Sequence, residues 1–292
     1  MIRVGESQIQ HRRLLEVDGL TKRYGTHLAV DSLSFDVMEG EIVALLGPNG
    51  SGKSSTLHCI SGILPSSEGH VQICGLGQDD SRTKMLMGFV PDDLALPLSL
   101  TGAEFLSFVA RLQPTTDFDW RDFLVSELGL DHALHRFLAE YSHGMKRKIQ
   151  LVAALAHLPK FLILDEPYRG LDPEASVILR ELVREFVHQN GSTLVATHDL
   201  LMAETYFDRV YIMANGVVMA SGAPRELREG HGKKTLEEVF LSVIGLEEPT
   251  REARRRVATR WPGNGKAEST NSSALDKAYS RETATTNSLR AW

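Results

Sequence analysis

The residue types best suited to phosphate chemistry lie together in Gly47-Pro48-Asn49-Gly50-Ser51-Gly52-Lys53-Ser54-Ser55. This stretch matches the pattern G-x-x-x-x-G-K-[ST], a loop that cradles phosphate groups. Glycine lets the backbone bend tightly and brings its N–H groups close to phosphate oxygens. In this pattern Lys53 reaches the β- and γ-phosphates, and Ser54 holds Mg²⁺. The spacing therefore predicts a site for a nucleoside triphosphate.

Two adjacent carboxylates follow an apolar run of strand length. Phe161-Leu162-Ile163-Leu164 predicts a buried parallel strand, and Asp165 and Glu166 stand at its C-terminal end. Open α/β sheets bind their ligands at this end of the strands, and nucleotide hydrolases place a Mg²⁺-associated acid there. Surface charge is the alternative interpretation, but the phosphate loop upstream favours a Mg²⁺ site.

A histidine ends another apolar run. Thr193-Leu194-Val195-Ala196 predicts a buried strand, and Thr197-His198-Asp199 follows it. A single histidine is more often structural than catalytic. Because this strand is predicted to run parallel to the Asp165 strand, we expect His198 to face the same crevice.

Tyr141-Ser142-His143-Gly144-Met145 opens a predicted helix that runs to about His157, with Ser142 at the N-cap position. Lys146, Arg147 and Lys148 lie near the start of this helix, where the helix dipole disfavours positive charge. Either an anion is bound there, or these residues form a solvated face. Tyr24, in a predicted loop, could pack in the fold or stack on a purine ring.

Short strands are predicted at residues 14–17, 33–37, 41–46 and 70–73, around the phosphate loop. This arrangement predicts an antiparallel sheet beside a parallel one. From Leu100 to Leu138 the apolar spacing is helical, with an interruption at Pro114. We therefore predict a helical insertion between two strands of the nucleotide core. Asn215-Gly216 predicts a hairpin.

Composition limits the classes of protein that fit. The 292 residues include 42% hydrophobic and 24% charged side chains, as in soluble globular proteins. No apolar run approaches the ~20 residues of a membrane span, and the polar N-terminus lacks a signal-peptide core, so we expect a cytoplasmic location. Cys59 and Cys74 are expected to be buried free thiols, and the net charge of −6 argues against a nucleic-acid partner.

Together these stretches resemble the nucleotide-binding subunit of an ABC (ATP-binding cassette) transporter over about residues 14–245. The order of the motifs carries the resemblance: an aromatic residue, the phosphate loop, a helical insertion, Ser-x-Gly at a helix start, the two carboxylates, Gly170-Leu171-Asp172 and a strand-end histidine. The resemblance implies an α/β fold with a P-loop NTPase (RecA-like) core and a mostly parallel sheet. It also implies an antiparallel β subdomain and an α-helical subdomain inserted at about residues 92–158. We expect a flexible leader at 1–13 and a disordered tail at 246–292.

The resemblance also implies roles and partners. ATP and Mg²⁺ are the expected ligands, a separate integral membrane permease is the expected partner, and a second ATPase subunit, as a homodimer, completes the sites head-to-tail. The subunit would then lie on the cytoplasmic face of the membrane. Lys53, Glu166 and His198 match catalytic positions, and Ser54, Asp165 and Asp92 match metal-associated ones. The nucleotide-binding positions match Tyr24, Gly47, Pro48, Asn49, Gly50, Ser51, Gly52, Lys53, Ser54, Ser55, Asp92, Asp172 and, from the second subunit, Ser142 and Gly144.

Two positions depart from the family pattern. The signature Leu-Ser-Gly-Gly-Gln is here Tyr141-Ser142-His143-Gly144-Met145, a form that resembles bacterial exporters with a separate six-helix permease. Asp92 stands where the family usually has glutamine; its charge beside a γ-phosphate needs compensation by a cation.

For the permease we hypothesise a docking groove around Leu94 to Leu112, motivated by the apolar residues Leu94, Leu96, Leu98 and Leu100.

Two other functions compete with the transport motor. The Asp92 substitution favours a nucleotide-responsive regulatory subunit with weak hydrolysis, although Glu166 and His198 are present. A soluble ABC protein of translation or DNA repair usually carries two cassettes or a long coiled-coil insertion. This sequence shows one cassette and a short helical insertion, so the motor is favoured.

Overall fold

The computed structural model describes residues 12–92, 96–113 and 115–261, so most of the predicted leader lies outside the described residues. The strands are β1 (Arg13–Tyr24), β2 (His27–Met38), β3 (Ile42–Leu46), β4 (Glu68–Ile73), β5 (Leu76–Gly77), β6 (Met87–Val90), β7 (Phe161–Asp165), β8 (Ser192–Thr197), β9 (Arg209–Ala214) and β10 (Val217–Gly222). The helices are α1 (Lys53–Ile60), α2 (Ser81–Leu86), α3 (Gly102–Leu112), α4 (Phe118–Glu127), α5 (His143–Leu155), α6 (Pro173–His188), α7 (Leu200–Tyr206), α8 (Pro224–Gly230), α9 (Leu236–Val243) and α10 (Glu247–Arg260).

The strands form two sheets, as predicted. One is antiparallel, in the order β2-β1-β4-β5, and the other has the order β10-β9-β3-β8-β7-β6. In the second sheet β9, β3, β8, β7 and β6 run parallel to one another, and among the described strands of this sheet only β10 is antiparallel, in its pairing with β9. Strand β3 therefore lies between two parallel neighbours, β8 and β9, and carries the phosphate loop at its C-terminal end.

Asp18-Gly19 does not end the first strand. β1 continues to Tyr24, and its pairing with β2 shifts between Val17 and Leu20, with Gly19 at φ +61°. A residue pair typical of turns here forms a β-bulge, because both flanking segments find partners in β2.

Helices α3, α4 and α5 lie between β6 and β7, where the helical insertion was predicted. Thr101 and Glu104 form a capping box at the start of α3, which satisfies backbone N–H groups that lack a helical partner. Asp117 caps α4 and Ser142 caps α5 by accepting a backbone N–H bond. Pro114 lies outside the described residues.

Two apolar cores cover the faces of the parallel sheet. Val43 and Leu45 of β3 point into a core shared with α1 and the antiparallel sheet, whereas Ala44 and Leu46 point into a core shared with helices such as α5 and α6. This alternation follows from the two-residue period of a strand. Both faces of β3 are thus buried, and its carboxyl end is held in a fixed position.

The chain up to Ile244 forms one compact unit, and a second begins at Gly245. We expected disorder in the tail, and this prediction is wrong for residues 247–260, which form α10. Arg251 pairs with Glu247 and Glu248, and Arg256 pairs with Glu252. Such pairs three and four residues apart stabilise a helix without a buried face. Residues 262–292 of the predicted tail lie outside the described residues.

Candidate functional site

The phosphate loop connects β3 to α1. The Lys53 ammonium donates hydrogen bonds to the carbonyl oxygens of Gly47 (2.7 Å) and Pro48 (3.2 Å), so the lysine lies inside the curve of its own loop. Burial lowers the pKa of Lys53, while the charges of Glu166 and Asp165 oppose this shift. The lysine is therefore desolvated and faces carboxylates across the site.

Gly52, the N-cap of α1, shows why the loop needs glycine. Its φ of +103° is disfavoured for other residues, and a Cβ there would come within 2.5 Å of the Ala29 carbonyl oxygen. The buried Ser51 hydroxyl has no hydrogen-bond partner among the described residues. A Cβ on Gly47 would come within 2.4 Å of this hydroxyl, so Gly47 leaves room for the Ser51 side chain.

A polar pocket opens over the loop. It brings together the following predicted residues: Tyr24, Asn49, Gly50, Gly52, Lys53, Ser54, Ser55, Asp92, Asp165, Glu166 and His198. Its lining also includes His27, Ala29 and Arg169, which the sequence analysis missed. Arg169 could have been noticed as a positive charge in the turn that follows the two carboxylates.

Tyr24 stands at the end of β1, on the rim of this pocket. The residue is 44% exposed, and its hydroxyl lies 3.3 Å from the Ser55 hydroxyl. The Lys22 ammonium lies 5.1 Å from the ring centroid. Part of the Tyr24 surface is therefore available for stacking on a base.

Asp165 ends β7 in a buried position and bonds to the hydroxyl of Ser54. Burial raises the pKa of Asp165, the Ser54 bond opposes this, and the charges of Asp92 and Glu166 raise it further. A buried carboxylate beside a hydroxyl is short of positive charge, which a divalent cation would supply.

Glu166 follows with a left-handed backbone at φ +46°. Its carboxylate accepts a hydrogen bond from the Thr197 hydroxyl (3.1 Å) and lies 2.7 Å from Nδ1 of His198. Non-glycine residues held in this conformation are concentrated at functional sites. The pairing of Asp165 with Ala196 in adjacent parallel strands brings both ends together, which confirms that His198 faces the crevice.

Asp92, immediately after β6, is held by two arginines. Arg147 of α5 donates to the carbonyl oxygens of Pro91 and Asp92 and to Oδ1 of Asp92 (2.8 Å), and Arg169 donates to Oδ2 (2.7 Å). The basic cluster at the start of α5 was interpreted as an anion site or a solvated face. For Arg147 both interpretations are wrong, because its side chain is 1% exposed and binds Asp92.

Ser142, Gly144 and Asp172 are absent from the lining that the described residues give this pocket. The exposed Ser142 accepts a bond from the Met145 N–H, and Asp172 caps α6 while pairing with Lys148 of α5 (2.9 Å). The Ala175 N–H and the Lys148 ammonium hold the pKa of Asp172 below its usual value. These residues thus join the start of α5 to the turn after β7.

The residues present fit ATP with Mg²⁺. The loop offers backbone N–H groups, a helix N-terminus and a lysine for phosphates. No cluster of three or more His, Cys, Asp and Glu residues in the described part of the chain could hold a metal by itself. Mg²⁺ typically binds through one or two carboxylates together with substrate phosphates, which Asp165 and Ser54 match.

The ABC transporter family model matches residues 30–169. An ABC transporter ATP-binding protein of Bacillus subtilis (strain 168), YxlF, is 38% identical over 74% of this chain and 73% of that protein. The linearmycin resistance ATP-binding protein LnrL of the same organism is 33% identical over 84% of this chain and 80% of its own length. The chain belongs to the ABC transporter ATP-binding protein family.

A solved ATP-binding subunit of an ABC transporter superposes on this chain with a TM-score of 0.74 and 32% identity, covering 79% of this chain and 99% of its own. The P-loop NTPase fold predicted from the sequence is therefore confirmed. This ABC transporter subunit binds and hydrolyses ATP, and a membrane partner uses that energy for transport. Among the described residues of the ABC subunit, no helix is both long and apolar enough to cross a membrane.

Proposed function

We propose that the chain is the motor of an exporter, acting as a head-to-tail homodimer on the cytoplasmic face of the membrane with Mg²⁺ as its metal. The proposal that this motor hydrolyses ATP rests on the contact of Glu166 with His198 and Thr197, in the same pocket as Lys53. One relative is named for linearmycin resistance, and export of a toxic compound confers resistance, which supports the direction.

Each pocket residue then has a chemical role. Tyr24 stacks on the adenine, and the loop with Lys53 binds the β- and γ-phosphates. Ser54 and Asp165 hold Mg²⁺, which neutralises phosphate charge when bound. Glu166 orients and polarises the attacking water, and His198 holds the Glu166 carboxylate in place and reaches toward the γ-phosphate.

The homodimer explains the residues that stand apart from the pocket. Ser142 and Gly144 lie at the N-terminus of α5, a position that favours anions. Because they are not part of their own chain's pocket lining, we propose that they contact the γ-phosphate bound by a second copy. The Lys148–Asp172 ion pair then links this contact to the turn that follows Glu166.

The permease would dock in a groove between α1, β6, α3 and α5, lined by Ile63, Phe89, Phe105, Val109, Gln150 and His157. The hypothesis from sequence is partly wrong: Leu96 is 7% exposed and belongs to the core, whereas Leu98 is 50% exposed. Leu94 lies outside the described residues. Ile63→Asp, at a 53% exposed position, should release the subunit from membranes carrying its permease, and Phe108→Asp, 52% exposed and outside the groove, should not.

The decisive experiment compares ATP turnover and ATP-dependent dimerisation of wild type and Glu166→Gln. The amide keeps the shape but cannot polarise water, so turnover should fall by roughly 10²- to 10⁴-fold, and a stable dimer should accumulate with ATP. Glu229→Gln, which alters an exposed carboxylate paired with Arg225, is the matched control.

If Glu166→Gln retains turnover, the water-activating role belongs to another residue. If wild type shows no turnover even with membranes present, the substitution at Asp92 would account for the lack of hydrolysis. The chain is then better described as a nucleotide-responsive regulatory subunit.

A further inference from the structure

Arg169 is the charged residue of the pocket to which no role has been given. It lies in the turn after β7, where its backbone N–H donates to the carbonyl oxygen of Glu166 (3.1 Å). Its side chain is 63% exposed, yet its guanidinium is bonded to Oδ2 of Asp92 (2.7 Å). An exposed arginine that is bound to one carboxylate therefore lines the phosphate site.

The two arginines on Asp92 differ in exposure. Arg147 is 1% exposed and makes three hydrogen bonds around residues 91 and 92, so it is a fixed anchor for Oδ1. Arg169 holds Oδ2 from the solvent side of the pocket. The removal of Arg169 therefore frees one carboxylate oxygen and leaves the anchor intact.

Charge makes this second contact necessary. Asp92, Asp165 and Glu166 line one pocket, and its lining includes Lys53 and Arg169 as the permanent cations. A free carboxylate beside a triphosphate repels it, and the repulsion is strong where water is scarce. A free carboxylate oxygen also attracts divalent cations.

We propose that Arg169 is a positioning residue that ties up the Asp92 carboxylate, so that Asp92 neither repels the triphosphate nor competes with Asp165 for the divalent cation. This inference rests on the proposed ATP site. With Arg147 holding Oδ1, Arg169 occupies the remaining oxygen, Oδ2, so that neither oxygen of the Asp92 carboxylate is left free in the pocket. Without Arg169, Oδ2 of Asp92 is free to repel phosphate. Without the Asp92 carboxylate, the Arg169 guanidinium is free to bind phosphate.

The test is a double-mutant cycle read by the binding of a fluorescent ATP analogue in EDTA. Arg169→Met should weaken binding about tenfold, equivalent to about 1.4 kcal/mol, because Asp92 then faces the phosphates. Asp92→Gln should tighten binding severalfold, since the Arg169 charge becomes available to the phosphates. The double variant should return to within about threefold of wild type, and Arg169→Lys should bind as wild type does.

A second measurement, the affinity for a divalent cation, should change in the opposite direction. With Mn²⁺ as a spectroscopic probe of the divalent site, Arg169→Met should bind the ion more tightly, and the double variant should not. The matched control is Arg225→Met, which removes another exposed arginine, paired with Glu229, and should change neither affinity.

The proposal is overturned if Arg169→Met and the double variant bind the analogue equally, or if Mn²⁺ affinity is unchanged in Arg169→Met. Because the cycle measures binding and not hydrolysis, it can hold even if wild type proves unable to turn over ATP. The failure of the motor function and the failure of this pairing are thus distinguishable.

Discussion

Replacement of Asp165 by asparagine should stabilise the metal-free protein while removing its response to Mg²⁺ and ATP. The Asp165 carboxylate is 2% exposed, and burial together with the charges of Asp92 and Glu166 disfavours its ionised form. The Ser54 hydroxyl only partly compensates. Asparagine keeps the shape and can still bond to Ser54, but it removes the buried charge.

The magnitude follows from general energetics. Replacement of an incompletely compensated buried charge by a neutral group of the same shape should raise the free energy of unfolding by about 1–2 kcal/mol. For a unit of this size that corresponds to a rise in Tm of about 2–8 °C. Wild type, in contrast, should gain about 2.7 kcal/mol from MgATP at about 100 times its Kd, which the variant should not. The order of stability should therefore reverse when MgATP is added.

Thermal and urea unfolding in EDTA and in MgATP measure both effects. The control is Asp36→Asn, since Asp36 is bonded to Arg209 (3.1 Å) and Tyr211 (3.1 Å), and the loss of this carboxylate should destabilise the protein. If Asp165→Asn is less stable than wild type in EDTA, the carboxylate is fully compensated in the apo fold and the reasoning fails.

Three further results are expected. Tyr24→Ala should weaken binding of ATP about tenfold and Tyr24→Phe should not, as measured by fluorescence titration, because the ring face carries the stacking; equal losses would contradict this. Gly144→Ala should abolish ATP-dependent dimerisation in size-exclusion chromatography but leave nucleotide binding intact, since the new Cβ would approach the Gly170 carbonyl oxygen to 2.7 Å. Because the pKa of Asp172 is lowered in the fold, wild type should exceed Asp172→Asn in urea stability above about pH 4, and this advantage should vanish as the pH falls through the lowered pKa; a difference that persists in acid would argue against an electrostatic origin.

The sequence predicted what depends on local pattern. The spacing around Lys53 fixes a strand, loop and helix, and the acids at 165 and 166 share one sheet edge with His198 because parallel strands end together. The arginines on Asp92 could not be predicted, since they lie 55 and 77 residues away along the chain. Only tertiary packing of α5 and of the turn after β7 brings them to it.

Helix α10 was missed for a different reason. Low apolar content suggested that residues 247–260 could not bury a face, and the structure buries none of them. The spacing of Glu and Arg at three and four residues carries a helical signal that composition alone does not reveal.

The central position of β3 and the edge position of β6 give the two strands of the ATPase unit different freedom to move. All five residues of β3 are buried, and parallel ladders with β8 and β9 hold it from both sides. These ladders fix the strand from which the phosphate loop begins. β6 lies at the edge of the same sheet and is followed by Asp92 and the inserted helices. Motion driven by the nucleotide should therefore begin at β6, and amide hydrogens there should exchange long before those of β3.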